Sequence, residues 1–341
     1  MINLAKLPLW NCQWLAAALI SVTSFAPATA LAGEEFFSVR NYSPFAQVYG
    51  LPGFADATVL DQRQYSLALS TTVINHADQG SAPGETIFLD GETYITDLTL
   101  GVGVTDRLTL GVTVPWVAYN GGVFDSAIET WHDIWGFPNG FRDGADDELF
   151  IRYESNGVEE FLLDTSSSGI GDVRLEAAYQ LTQSEAADFG VVLRVGAKLP
   201  TGDSADLSGS EATDFSLDLA VRKELALRNS KLILLAHAGA LFLGDGEVLP
   251  ELQRDTVGFA GAGAVWRASE RWRFNLQFYG QTSYFDSDVK ELGSEGISIT
   301  AGLSYSWLES RTQLSVSMVE DLVTDIIPDV ALQIKLTKDF R

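Results

Sequence analysis

Apolar and polar residues alternate along most of this chain, and that pattern constrains its fold more than any other feature. The last segment, residues 330–340, shows it well: apolar side chains occupy one face, with Lys338 the exception, and polar side chains occupy the other. A period of two is typical of β-strands whose two faces meet different surroundings. About eleven further segments from Tyr65 onward repeat the pattern, so the sequence predicts about twelve strands.

The connections between these segments alternate between short and long. Short links such as 105–107 alternate with long ones such as 75–91 and 119–168. A membrane barrel with tight periplasmic turns and extended outer loops requires this order, and Trp116 and Trp272 near strand ends suit its aromatic girdles. The sequence therefore predicts an all-β fold, a transmembrane antiparallel up-and-down β-barrel of about 12 strands. A soluble β-sandwich is the alternative.

The composition agrees with a barrel and excludes several other classes. Hydrophobic residues make up 46% of the chain, which suits a fold whose lipid-facing side alone must be apolar. Lys and Arg number 22 against 46 Asp and Glu, a net charge of −24 that excludes nucleic acid as a partner, since binding it needs a basic surface. Acidic outer loops explain the charge, and we expect outer-membrane lipid and lipopolysaccharide as partners.

The N-terminus has the features of an export signal. Lys6 precedes an apolar run at 14–25, and small residues allow cleavage after Ala30 or Ala32. A transmembrane anchor is the alternative, but the run falls short of the roughly 20 residues that span a bilayer. We expect export to the outer membrane of a Gram-negative cell. The expected regions are a signal peptide at 1–32, an N-terminal periplasmic or lumen segment at 33–60, and the barrel at 61–341.

The end of the chain resembles the C-terminal signal of outer-membrane barrels. The last strand ends in the aromatic Phe340, and one further residue, Arg341, follows it. In the usual signal the aromatic residue is the last one, so Arg341 is a small departure. The resemblance implies that Phe340 is read by the barrel-assembly machinery.

Several short stretches, taken in order, resemble an uncharacterised bacterial family, domain of unknown function 3187. They are Arg-Asn-Tyr-Ser-Pro at 40–44 with Tyr-Gly-Leu-Pro at 49–52, Trp-His at 131–132 with Gly-Phe-Pro at 136–138, Gly-Ile-Gly-Asp at 169–172, and Lys-Leu-Pro-Thr-Gly-Asp at 198–203. The similarity spans most of the chain beyond the export signal. It implies an outer-membrane barrel and carries no activity.

The polar face of the predicted strands is the first candidate site. If the apolar residues face lipid, alternation turns charges of both signs into the lumen. They are Asp172, Arg174, Glu176, Arg194, Lys198, Asp214, Asp218 and Arg222. A charged wall of this kind could select ions or small solutes. The alternative is a salt-bridge lattice that fills a narrow barrel, since about twelve strands lie between filled and open barrels.

The long connection at 119–168 is the second candidate site. Trp131, His132, Trp135 and Phe137 cluster at near-helical spacing ahead of an acidic run. A short amphipathic helix there could constrict the lumen or lie in the outer-leaflet interface. A hydrophobic cap that simply closes the barrel is the alternative.

Catalytic and metal sites find little support. The three histidines, His76, His132 and His237, lack a Ser partner and an orienting carboxylate that the sequence alone could identify. Acidic loops could bind calcium, but no loop matches the EF-hand pattern. We expect no enzyme activity, no cofactor and no metal site. The leading hypothesis is a passive channel for small or ionic solutes, gated by the loop 119–168; the alternatives are a structural or adhesive barrel and a lipid-modifying enzyme.

Overall fold

The computed structural model describes residues 36–54, 56–122, 148–183, 188–322 and 330–341, with the backbone alone for Gln183. The expected signal peptide and the loop residues Trp131, His132, Trp135 and Phe137 lie outside these ranges. None of the helices within them has the length and apolar character that a membrane span requires.

The described chain forms fifteen strands and one short helix, α1 (Lys290–Gly293). The strands are β1 (Tyr65–Ala82), β2 (Glu85–Thr105), β3 (Leu108–Asn120), β4 (Phe150–Ser155), β5 (Val158–Leu163), β6 (Ser167–Ile170), β7 (Arg174–Gln183), β8 (Phe189–Lys198), β9 (Asp214–Ala226), β10 (Lys231–Phe242), β11 (Thr256–Arg267), β12 (Trp272–Gln281), β13 (Gly296–Trp307), β14 (Thr312–Asp321) and β15 (Val330–Phe340).

Twelve of these strands close into a barrel. β1, β2, β3 and β7 to β15 each pair antiparallel with both neighbours, and β15 returns to pair with β1. The closing register runs from Tyr65 opposite Phe340 to Asn75 opposite Val330. Closure satisfies every strand edge, which a lipid environment demands. The predicted transmembrane antiparallel barrel of about twelve strands is confirmed.

The two faces of the wall follow the sequence alternation. Leu69, Phe215 and Ile334 on the outer face are 50%, 55% and 57% exposed, whereas their inward-facing neighbours Ser70 and Gln333 are buried. Such a continuous exposed apolar face is stable only in contact with lipid.

Aromatic rings collect on the outer face beside the short turns. Trp272 and Tyr305 lie 4.9 Å apart between ring centroids, Tyr305 and Trp307 lie 5.1 Å apart, and Trp266 lies 5.6 Å from Phe274. These rings flank the turns at 268–271 and 308–311. Their place at one rim of the barrel is that of an interfacial aromatic girdle.

The long connections at 75–91 and 119–168 contain regular strands in their described parts. β1 and β2 continue beyond the barrel to a tight turn at Gly84, whose φ of +88° suits glycine. β4 pairs with the beginning of β2 and with β5, while β6 pairs with the end of β3. Where the hairpin leaves the barrel, residues on both faces, such as His76 and Ala77, are buried. Burial on two sides removes the alternation by which a strand is recognised.

The core lies inside the barrel, around residues 36–54 and 56–60, here called the lumen segment. Its aromatic side chains, including Phe36, Phe37 and Phe54, are almost fully buried. A Cβ on Gly263 or Gly302 would come within 2.8 Å or 2.5 Å of the rings of Phe36 and Phe37. Glycine on the inward face of β11 and β13 therefore makes the space that these rings fill.

Candidate functional site: the charged lumen and its N-terminal segment

A buried lysine joins two strands to a loop on the side of the long connections. The Nζ atom of Lys198 lies 2.9 Å from Asp172 Oδ2 and 3.1 Å from Asp214 Oδ2, and it also donates to the hydroxyl of Ser210. Asp172 lies between β6 and β7, in the Gly-Ile-Gly-Asp stretch. Its Oδ1 accepts hydrogen bonds from the backbone N–H groups of Thr201 and Gly202, at 2.9 and 2.8 Å. The two sequence motifs thus form one structural unit.

The same unit holds the lumen segment. Lys198 Nζ donates a hydrogen bond to the carbonyl oxygen of Val48 at 3.0 Å, and Asp214 Oδ2 accepts one from the N–H of Gly50 at 2.8 Å. The Lys198 side chain is 2% exposed. In such a buried place, charges are stable only when they are paired and hydrogen-bonded, so each partner depends on the others.

A second cluster lies deeper in the barrel. Arg194 makes a two-pronged ion pair with Asp218, with N–O distances of 2.9 and 2.6 Å. Nδ1 of His237 lies 3.2 Å from the same carboxylate. The His237 ring packs against Phe54 of the lumen segment, with ring centroids 4.6 Å apart. This cluster therefore supports the lumen segment by packing as well as by charge.

A third cluster lies toward the short turns. Arg222 Nε is 3.6 Å from Asp56 Oδ1 of the lumen segment, and Arg222 is 3.5 Å from Glu224. Glu224 also accepts a hydrogen bond from Lys231 at 2.6 Å. These contacts fasten the far end of the lumen segment to β9.

A fourth group of charges lines a cavity of about 150 Å³ between the lumen segment and the wall. Arg174 Nη2 pairs with Asp97 Oδ1 at 2.8 Å, and the charges of Arg40 and Lys335 also act on Asp97. Glu176 lines the same cavity. Burial lowers the pKa of Arg40, and the like charge of Arg174 lowers it further.

The other long connections cover the lumen segment with aromatic rings. The rings of Tyr49 and Tyr284 stack at 5.5 Å, and the Tyr49 hydroxyl donates to the carbonyl oxygen of Val248 at 3.2 Å. Burial raises the pKa of both phenols far above the usual value. Phe161 of β5 packs on Phe45 at 5.3 Å.

The structure places all eight charges of the first candidate site on the inward side, where they divide among these four groups. Each group also contains residues outside that set of eight: Ser210, His237, Asp56, and the trio of Arg40, Asp97 and Lys335. Arg40 lies in the 40–44 motif, and Lys335 lies on the polar face of the last strand. The sequence could therefore have indicated both as inward-facing charges. Within the described ranges, no group of three or more His, Cys, Asp or Glu side chains could hold a metal ion.

The outward apolar face, the closed hydrogen-bonding and the charged interior define a transmembrane β-barrel protein with an N-terminal segment folded inside it. The chain belongs to the family described as a protein of unknown function, DUF3187, whose model matches residues 16–340. A comparison with curated proteins found no match.

Solved structures that are similar to this chain include outer-membrane channels. The COG4313 outer-membrane channel from Pseudomonas putida F1 is 16% identical with a TM-score of 0.55, over 84% of this chain and 98% of that one. The KdgM porin is 9% identical with a TM-score of 0.42, over 81% and 99%. The CymD monoaromatic hydrocarbon channel is 14% identical with a TM-score of 0.39, over 88% and 97%. At 16% identity, the similarity to the COG4313 channel shows a shared fold.

Proposed function

We propose that the protein is a passive outer-membrane channel for small solutes. The observation that supports this most is the cavity of about 150 Å³ beside the lumen segment. Its wall comes from strands on one side of the barrel, with polar residues such as Ser70, Thr113 and Gln333. The opposite side, at β11 to β13, is filled by aromatic rings. A solute path would therefore run between the lumen segment and the polar half of the wall.

The proposal includes how the protein reaches its membrane. The signal peptide at 1–32 directs export and is cleaved, and the barrel-assembly machinery recognises Phe340 at the end of β15. The acidic outer loops then face lipopolysaccharide. A passive channel of this kind needs no catalytic group and no cofactor.

We further propose that the connection 119–168 controls the mouth of the channel. Its described part touches the lumen segment at two points. Phe161 packs on Phe45, and the hydroxyl of Tyr119, at the end of β3, is hydrogen-bonded to the side chain of Gln47. A movement of this connection would therefore displace the lumen segment, which borders the proposed solute path. Trp131, His132, Trp135 and Phe137 are the proposed constriction.

Single-channel conductance of the refolded mature protein in planar bilayers tests both proposals. The comparison is with a variant in which residues 125–146 are replaced by a short Gly-Ser linker, which leaves β4 and β5 in place. We expect steady openings from the unaltered protein and larger openings from the variant. A folded barrel that is silent in both forms would refute the channel, while equal conductance in both would refute the role of the loop.

A structural barrel without a conducting pore is the second candidate. The lumen segment is largely buried inside the barrel and is held there by the four groups of contacts described above. A segment fixed in this way would block the lumen, which favours a structural role. Swelling of liposomes in small sugars separates the two candidates. Solute entry supports the channel, and its absence, with the barrel shown to be folded, supports the structural role.

A further inference from the structure

We propose that the cavity beside the lumen segment binds a small organic anion, whose carboxylate lies between Arg40 and the Arg174 and Lys335 side chains. The inference rests on the proposed function, since it names the class of solute for that path. It would not follow from the overall charge of the chain, which is strongly negative.

The charges around the cavity leave a local positive excess. Arg40, Arg174 and Lys335 all act on the one carboxylate of Asp97. Glu176, the other acidic residue of the cavity lining, interacts with Arg194 of the next strand. Apart from Lys198, which is paired with Asp172 and Asp214, the lining holds three cations and two carboxylates, and this positive excess favours one further carboxylate.

Arg40 supplies an independent observation. The residue is 8% exposed, and within the described chain its Nε atom has no hydrogen-bond partner. A buried N–H group that lacks an acceptor is costly, and arginine binds carboxylates through paired N–H groups. The Arg40 guanidinium lies 6.0 Å from the ring centroid of Tyr42 and lines the cavity. A bound carboxylate would provide the acceptor that this Nε atom lacks.

The size and the remaining lining limit the rest of the ligand. A cavity of about 150 Å³ is large enough to hold a molecule the size of benzene. Pro52, Phe54 and Ala197 give the lining an apolar part. The ligand expected is therefore a carboxylate joined to one small ring or to a short alkyl chain.

Benzoate and benzamide test the proposal, because they share a shape and differ in charge. Isothermal titration of the refolded protein in detergent should show saturable benzoate binding and about tenfold weaker benzamide binding. Arg40→Gln should weaken benzoate binding about tenfold, and Arg40→Lys should weaken it less. Lys338→Gln is the matched control, because Lys338 lies on β15 outside the cavity lining and should leave binding unchanged.

A second variant distinguishes failure to fold from failure to bind. If Arg40→Gln does not give a heat-modifiable barrel, Lys335→Gln replaces it and should lose several-fold in affinity. Benzoate binding that is absent, equal to benzamide binding, or unaffected by the cavity variants would overturn the anion site.

Conductance distinguishes this inference from the channel itself. In a salt gradient, the reversal potential should show a preference for chloride over potassium that decreases in Arg40→Gln. Benzoate binding by a silent barrel would refute the channel and keep the site. Conductance without benzoate binding would refute the site and keep the channel.

Discussion

Truncation of Phe54 should release the lumen segment while leaving the barrel wall intact. The Phe54 side chain is fully buried, with its ring 5.1 Å from that of Phe36 and 4.6 Å from that of His237. The backbone N–H of Phe54 donates to the carbonyl oxygen of Val39, so the segment folds back on itself at this point. Phe54→Ala removes the ring that joins this turn to the barrel wall.

The magnitude follows from the burial. Replacing a fully buried Phe by Ala costs about 3–5 kcal/mol in soluble proteins. The strand pairing of the wall does not involve Phe54, so this loss falls on the docking of the segment. It should raise the undocked population by about two to nearly four powers of ten. The undocked segment would leave a wider lumen.

Limited trypsin digestion of the refolded protein measures docking through cleavage after Arg40. We expect the unaltered protein to resist cleavage there and Phe54→Ala to be cut, with larger single-channel conductance. Phe274→Ala is the matched control, because Phe274 lies on the lipid face of β12. If Arg40 stays protected in Phe54→Ala and the conductance is unchanged, the docking argument is refuted.

Two further substitutions test the buried ion pairs of Lys198 and the assembly signal. Lys198→Met should lower the free energy of unfolding by about 3–5 kcal/mol, because it leaves Asp172 and Asp214 buried without their cation. Lys223→Met is the control and should lower it by about 1 kcal/mol or less, because the pair of Lys223 with Asp188 is exposed. Urea unfolding in lipid, followed by tryptophan fluorescence, measures both, and equal losses would contradict the reasoning. Phe340→Ala should reduce the heat-modifiable fraction recovered from cells, and a normal yield would count against the assembly signal.

The barrel strands were predictable because their faces differ in local surroundings. Lipid on one side and the lumen on the other impose alternation on each strand, so the facing of Leu217 and Asp218 can be read without knowledge of their neighbours. The same reasoning found the inward charges. It failed for 75–91, because neighbouring residues such as His76 and Ala77 are buried on both faces and the period of two is lost there.

The sequence by itself therefore determined the closed barrel, its outward apolar face and the identity of most inward charges. The tertiary structure decided which charges meet and what lies among them. Lys198 contacts Val48, 150 residues earlier in the chain, and Arg40 is close enough to act on Asp97. Such pairings depend on the registers of many strands and on the path of the lumen segment. The local alternation of a strand therefore does not predict them. Facing is a local property of a strand, whereas a binding site is assembled by contacts between distant parts of the chain.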